Sequence, residues 1–351
     1  MITLKLRKSF IQFVLISVCF YFIFKMPNAI SLGISKGLDT CLYAILPSLF
    51  PFTVLSLYIT KIGLFNGESK ILSFITSKFF KQPASAFPVI ILSLIGGFPI
   101  GAKLTYELLS NRQITKNQAL RLNLFCMSGG PAFVVLSVGL NMLNSQKAGV
   151  IMFASTTLSS IILGIISSLF DDKEMLNSKN CKKNISPSLA LSSSITDSIN
   201  TILSICAWII LFSAVIECLN YINFNGQILF YLKSILEVTG GCILLAGKVN
   251  LPIITALLGF GGLCVHCQVS SYISASGLKY YKVLIFRILN AILSATICYL
   301  ILLVVPVEIS TSVLNSTTKI VPFSVSASSF FAVLIMCVIL VFDIDSKKKV
   351  C

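Results

Sequence analysis

Acidic side chains and histidine are scarce in this chain. Its 351 residues include 12 Asp and Glu and a single histidine, and only 11% of the residues are charged. Soluble domains carry roughly 25% charged residues, so the composition excludes an ordinary soluble protein. The sequence also lacks a P-loop, a G-x-S-x-G elbow and an H-E-x-x-H zinc motif. We therefore expect a protein that is not an enzyme and has no cofactor.

Long apolar segments dominate the chain, of which 56% is hydrophobic with a mean hydropathy of +0.94. Segments long enough to cross about 30 Å of hydrocarbon lie at 9–26, 38–60, 117–142, 148–170, 196–219, 250–276, 281–305 and 324–343. Two more, 84–112 and 226–248, are apolar but interrupted near the middle, which favours re-entrant hairpins buried in protein. The sequence predicts an all-α polytopic membrane protein with about eight crossing helices and two hairpins.

Basic residues outnumber acidic ones, and the formal net charge is +15. Most of the 27 lysine and arginine residues fall in short loops on one side of the predicted spans, as the positive-inside rule requires for cytoplasmic loops. This distribution explains the charge without a nucleic-acid partner. It predicts that both termini are cytoplasmic and that the first segment, 9–26, is an uncleaved helix.

Twelve cysteines are scattered through the chain, many of them inside apolar spans. Buried free thiols behave as small hydrophobic groups. The sequence Cys264-Val265-His266-Cys267 resembles a metal motif in its letters, but no second cluster of Cys and His would complete four ligands. We predict no metal site.

The predicted segments repeat in order. A first repeat, 38–170, and a second repeat, 196–305, each contain a crossing helix, a hairpin, a broken crossing helix and a further crossing helix. A cytoplasmic loop, 171–195, joins them, so the two repeats enter the membrane from opposite sides. Inverted repeats of this kind are typical of secondary transporters, whose sites lie at paired helix breaks. The segments 9–26 and 324–343 lie outside the repeat.

Four glycine-rich breaks, two in each repeat, are the candidate substrate site. In chain order they are the first break (96–101), the second (128–131), the third (239–241) and the fourth (259–262). Half-helices that start inside a membrane present free N–H groups and a partial positive charge, which suit an anion. Close helix packing by small residues is the alternative reading. The predicted substrate-binding residues at and near the breaks are Gly97, Pro99, Gly101, Lys103, Ser128, Gly129, Gly130, Thr239, Gly240, Gly241, Gly261, Gly262, His266 and Gln268.

Charged groups beside the breaks leave alternatives open. Lys103 is either a cationic contact for the substrate or a structural partner of Glu107, which lies four residues later. Glu237, directly before the third break, is a candidate proton carrier or cation ligand. His266 is either a site residue or a buried core group. We expect Arg287 to be a helix-end or packing residue.

Several of these motifs resemble a known family. The sequences LPSLFPF (46–52), GGFPIGAK (96–103), SGGPAF (128–133), EVTGG (237–241) and GFGGLCVHCQV (259–269) are similar to those of the YlbJ sporulation integral membrane proteins. This family, also called the stage V SpoVV proteins, carries the nucleoside-recognition Gate domain. The resemblance covers roughly residues 38–305. It implies a plan related to concentrative nucleoside transporters and a role in passing dipicolinic acid out of the mother cell during endospore formation.

The leading hypothesis is therefore a transporter of a small anionic solute, dipicolinic acid, in the cell membrane or the outer forespore membrane. A transporter of a nucleoside or another polar metabolite is the alternative, and polar uncharged groups would then matter more than Lys103. A third hypothesis is a sporulation membrane scaffold that transports nothing. The oligomeric state stays open.

Overall fold

Every regular element in the described part of the chain is a helix. The structure is a computed structural model, and it describes residues 24–62, 70–169, 186–222 and 226–307. The predicted helix 324–343 and nearly all of the predicted helix 9–26 lie outside these residues, as does the first part of the predicted loop 171–195. The prediction of an all-helical polytopic membrane protein is confirmed.

The first predicted repeat contains seven helices in its described residues. They are α1 (Pro27–Lys61), α2 (Lys70–Phe80), α3 (Phe87–Gly96), α4 (Phe98–Ser110), α5 (Lys116–Phe125), α6 (Ala132–Met142) and α7 (Gln146–Ser168). A segment of α1, Cys41–Ile45, and all of α6 have π-helical hydrogen bonding.

The second predicted repeat contains the helices α8 (Pro187–Tyr221), α9 (Gln227–Leu236), α10 (Val238–Leu245), α11 (Leu251–Phe260), α12 (Gly262–Ala275) and α13 (Tyr280–Val304). Its interruptions fall within the predicted hairpin 226–248 and the predicted broken helix 250–276.

Five helical stretches of the described residues are long and apolar enough to cross a membrane: α1, α7, α8, α13 and the joined pair α11–α12. Eight crossings are predicted. Three of the predicted crossings are not among these five stretches. The segments 9–26 and 324–343 lie almost or entirely outside the described residues, and the segment 117–142 is divided into α5 and α6. The inverted orientation of the two repeats stays a prediction.

Two helices begin earlier than predicted. Helix α1 starts at Pro27 rather than residue 38, and α8 starts at Pro187, so the end of the predicted loop 171–195 is helical. Proline suits the first turn of a helix because its missing N–H has no partner there in any case. The early part of α1 packs closely on α8, since a Cβ at Gly33 would lie only 2.5 Å from the Cα of Ala214.

A buried apolar cluster draws on both predicted repeats. It includes Ile45 and Leu49 of α1, Phe98 of α4, Ile205 of α8 and Val238 of α10. Helix α4 packs against α12, and α1 packs along α8. The short helices on either side of the breaks are therefore held inside the protein by longer helices, as interrupted backbone at membrane depth requires.

Candidate functional site

The first break is a single residue, Gly97, between α3 and α4. Its backbone has φ 90° and ψ −175°, a conformation that is essentially restricted to glycine. The space beside it is open enough for a methyl group, because the nearest atom to an added Cβ would be 3.5 Å away. The backbone conformation therefore requires the glycine. Helix α4 then begins with Phe98-Pro99 and has no side-chain cap.

The second break lies directly against the first. Helix α5 ends at Phe125, and α6 begins after Pro131. A Cβ at Gly130 would lie 2.5 Å from the carbonyl oxygen of Ile95, and a Cβ at Gly101 would overlap the carbonyl oxygen of Cys126. These two glycines let the backbones of the two breaks touch, which side chains would prevent.

The third break is closed by a carboxylate. Glu237 is extended between α9 and α10, is 3% exposed, and accepts hydrogen bonds from the backbone N–H groups of Thr239 (2.8 Å) and Gly240 (2.5 Å). It is thus the N-cap of α10, where a negative charge is stabilised by the helix dipole.

The fourth break packs on the third. Gly261 and Gly262, between α11 and α12, have φ values of 96° and 72°, which favour glycine. A Cβ at Gly262 would lie 3.0 Å from the backbone nitrogen of Val238. A Cβ at Gly261 would lie 3.1 Å from the ring of Phe98, so this break also meets the first one.

A small cavity of about 40 Å³ lies where the breaks meet. Gly97, Phe98 and Pro99 contribute from the first break, Gly130 from the second, Glu237 and Thr239 from the third, and Gln268 from the helix after the fourth. Apolar side chains of α1 and α8 complete the lining. The structure therefore brings residues of the first three breaks, and of the helix that follows the fourth, to one point inside the protein.

The cavity lining includes six of the predicted residues: Gly97, Pro99, Gly130, Thr239, Gln268 and Glu237. The others do not line it, and they are Gly101, Lys103, Glu107, Ser128, Gly129, Gly240, Gly241, Gly261, Gly262 and His266. Most glycines of this second set make close contacts between helices, as the packing alternative required, whereas Gly240 faces only the carboxylate of Glu237. Gly241, for example, faces the carbonyl oxygen of Ser234 and the side chain of Leu257.

Lys103 bonds to α8 rather than to Glu107. Its Nζ donates to the hydroxyl of Thr201 at 3.0 Å and to the carbonyl oxygen of Asp197 at 3.3 Å. The carboxylate of Asp197 in turn pairs with Lys61 at 2.5 Å. Among the described residues the ion pairs are this one and Lys36–Glu217, so Lys103 and Glu107, whose pairing was one of the two alternatives, form no direct ion pair here. Lys103 therefore bonds to residues of the neighbouring helix α8 and not to Glu107, which lies one turn later on its own helix.

His266 is a buried residue with a hydrogen-bonding partner. Its Nδ1 lies 2.5 Å from the phenol oxygen of Tyr280, and its ring packs on Phe260 with centroids 4.5 Å apart. No group of three metal-ligating side chains occurs within the residues that the structure describes. The arrangement resembles a packed core histidine, one of the two alternatives that the sequence left.

The sequence analysis expected Arg287 to be a helix-end or packing residue and did not place it at the breaks. This residue of α13 is 1% exposed, and its guanidinium donates to the carbonyl oxygens of Met127, Gly259 and Phe260. Met127 directly precedes the second break, and the other two directly precede the fourth. The position of Arg287 in an otherwise apolar span indicated a functional residue. Its hydrogen-bonding partners could not be identified from the sequence, because they are distant in the chain and form no recognisable motif.

The fold and the site define an integral membrane protein whose interior is built from paired, interrupted helices. The chain is similar to the sporulation integral membrane protein YlbJ of Bacillus subtilis (strain 168), with 24% identity over 318 residues that cover 78% of each chain. This similarity supports the resemblance to the YlbJ sporulation proteins. No family model matches the chain, and no solved structure matches it.

Proposed function

We propose that this protein is a sporulation membrane transporter of a small anionic metabolite, and that dipicolinic acid is its substrate. The observation that supports it best is a single cavity lined by residues of three breaks and of the helix that follows the fourth. Secondary transporters place their sites at such breaks because unwound backbone and half-helix ends can bind a solute there. The similarity to a sporulation membrane protein supports a role in sporulation.

The helix ends around the cavity suit a carboxylate. Helices α4 and α12 both begin at a glycine break without a side-chain cap, whereas the N-terminus of α10 already holds the carboxylate of Glu237. Uncapped N-termini attract negative charge through their free N–H groups and the helix dipole. The bond between Glu237 and α10 shows the same chemistry within the chain itself.

The cavity is too small for the proposed substrate in the conformation described. Its volume of about 40 Å³ holds no more than a few water molecules. A pyridine ring with two carboxylates enters only if the breaks move apart. In this proposal the conformation described is a closed state, and transport requires the short helices on the two sides of the cavity to separate.

Uptake of radiolabelled dipicolinate into vesicles that contain the purified protein tests the proposal. We expect saturable uptake by the parent and its loss in Gly261→Leu, because the added side chain meets the ring of Phe98 and the backbone has a positive φ. Gly226→Leu is the matched control, since no atom lies within 4 Å of an added Cβ there. Parent vesicles that take up no more dipicolinate than protein-free vesicles would refute the proposal.

A neutral polar metabolite is the second candidate, because three polar side chains line the cavity: Glu237, Thr239 and Gln268. A fixed carboxylate repels an anion, whereas all three groups can hydrogen-bond to a nucleoside. Competition separates the two candidates. Excess uridine should leave dipicolinate uptake unchanged if the substrate is an anion, and uridine uptake without dipicolinate uptake would establish the second candidate.

A further inference from the structure

Arg287 holds the second and fourth breaks together. Its guanidinium bonds to Met127 on one side and to Gly259 and Phe260 on the other, all through backbone carbonyl oxygens. These carbonyls lie at the ends of α5 and α11, where the helix dipole is negative. One buried cation thus ties an interrupted helix of the first repeat to one of the second.

The charge of Arg287 has no carboxylate partner among the described residues. The described ion pairs use Glu217 and Asp197 with lysines, and the titratable groups that face Arg287 are Tyr280 and His266. Lys103, in contrast, lies near Asp197 and Glu107. Buried charges in proteins are usually paired with an opposite charge, and arginine stays charged in this environment. Arg287 therefore suits an anion better than Lys103 does.

The ring of Phe98 separates Arg287 from the cavity. The guanidinium carbon lies 5.7 Å from the centre of this ring, and the same side chain lines the cavity. Gly129 and Gly261 border the ring, since an added Cβ would lie 3.5 Å and 3.1 Å from its carbon atoms. Because both positions are glycine, no Cβ lies against the ring there, and separation of the breaks would leave space for the ring to turn.

We propose that Arg287 is the cation that binds the substrate carboxylate, and that Phe98 covers it in the closed state. This inference rests on the proposed function, because only an anionic substrate would use the charge. When the breaks separate and the ring turns, a carboxylate in the cavity reaches the guanidinium and replaces the cation–π contact with a charge-assisted pair. Arginine forms such pairs with two parallel hydrogen bonds, which also orient the substrate.

Binding of dipicolinate to the purified protein, followed by calorimetry in detergent, tests Arg287. Loss of the charge in Arg287→Gln should weaken binding ~10–100-fold, whereas Arg287→Lys, which keeps the charge but not the two parallel hydrogen bonds, should bind with an affinity between those of Arg287→Gln and the parent. Arg121→Gln is the matched control, because Arg121 is also buried and bonds to backbone carbonyls, but those carbonyls belong to Phe80 and Lys81, which lie outside the four breaks. Equal binding by Arg287→Gln and the parent would overturn the proposal.

A chemical test does not depend on the folding of Arg287 variants. Phenylglyoxal modifies accessible arginines, and mass spectrometry reports the modification of Arg287 itself. We expect Phe98→Ala to raise modification at Arg287 and dipicolinate to suppress it, while Arg112, which is exposed, reacts equally in all samples. A reaction at Arg287 that dipicolinate does not suppress, or no gain in Phe98→Ala, would refute the inference.

The results also separate this inference from the proposed function. Dipicolinate transport by the parent together with unchanged binding in Arg287→Gln would refute the role of Arg287 and leave transport standing. Binding that requires Arg287, without flux into vesicles, would retain the anion site and refute transport. A parent protein that neither binds nor transports dipicolinate would refute both.

Discussion

Gly130→Ala should disturb the contact between the first and second breaks. The added Cβ would lie 2.5 Å from the carbonyl oxygen of Ile95 and 3.2 Å from the backbone nitrogen of Gly97. Both are backbone atoms, so no side chain can rotate away, and one of the two breaks must shift by about half an ångström. Overpacking of this kind costs about 1–3 kcal/mol. The same shift displaces Gly97, which lines the cavity.

The assay for Gly130→Ala combines thermal unfolding in detergent with dipicolinate uptake into vesicles. We expect the melting temperature to fall by several degrees and uptake to fall with it. Gly226→Ala, which meets no atom within 4 Å, should match the parent in both measurements. If Gly130→Ala melts and transports like the parent, the backbone contact between the two breaks does not hold the site together.

Three other substitutions test separate parts of the structure. Glu237→Ala should cost about 1–2 kcal/mol of stability because α10 loses its N-cap, and Glu237→Gln should lose less in the same melting assay. Lys103→Gln should lower the melting temperature through its lost bonds to α8 but leave dipicolinate affinity within about threefold. If the double variant Lys103→Gln/Glu107→Gln regained the melting temperature of the parent, Lys103 would pair directly with Glu107 instead. Cysteine labelling should find Ser188 cytoplasmic and Gly226 on the opposite side, and labelling of both from one side would contradict the inverted repeat.

The interruptions of the helices could be predicted from residue chemistry. Gly97 and Gly261 have positive φ values that glycine alone adopts readily, and Pro131 precedes α6 directly. Glycine and proline disfavour a continuous helix wherever they occur, so the positions of the breaks are local information. The same reasoning placed the first, second and fourth breaks close to where the structure has them, but Gly240 and Gly241 of the third lie within α10, and the interruption falls at Glu237.

The partners across the breaks could not be predicted in the same way. Arg287 lies 160 positions from Met127 in the sequence, and Lys103 lies 98 positions from Thr201. A hydrogen bond to a backbone carbonyl cannot be predicted from the residue type of the acceptor, because every residue has a backbone carbonyl. The local rule that pairs residues four apart on a helix favoured Glu107 for Lys103, and packing between helices overrode it.

The π-helical segments of α1 and α6 have a geometric consequence for the cavity. Ile45, at the end of the π segment of α1, and Phe133, within α6, both line it. A π-helical turn contains one residue more than an α-helical turn. If the single π-helical turn at Cys41–Ile45 changed to α-helical hydrogen bonding, the residues beyond it would rotate by about 100° around the helix axis. The same change in α6, whose π-helical segment has 11 residues, would produce a larger rotation. A shift of one residue in register would thus exchange the side chains that face the cavity while both helices stayed helical.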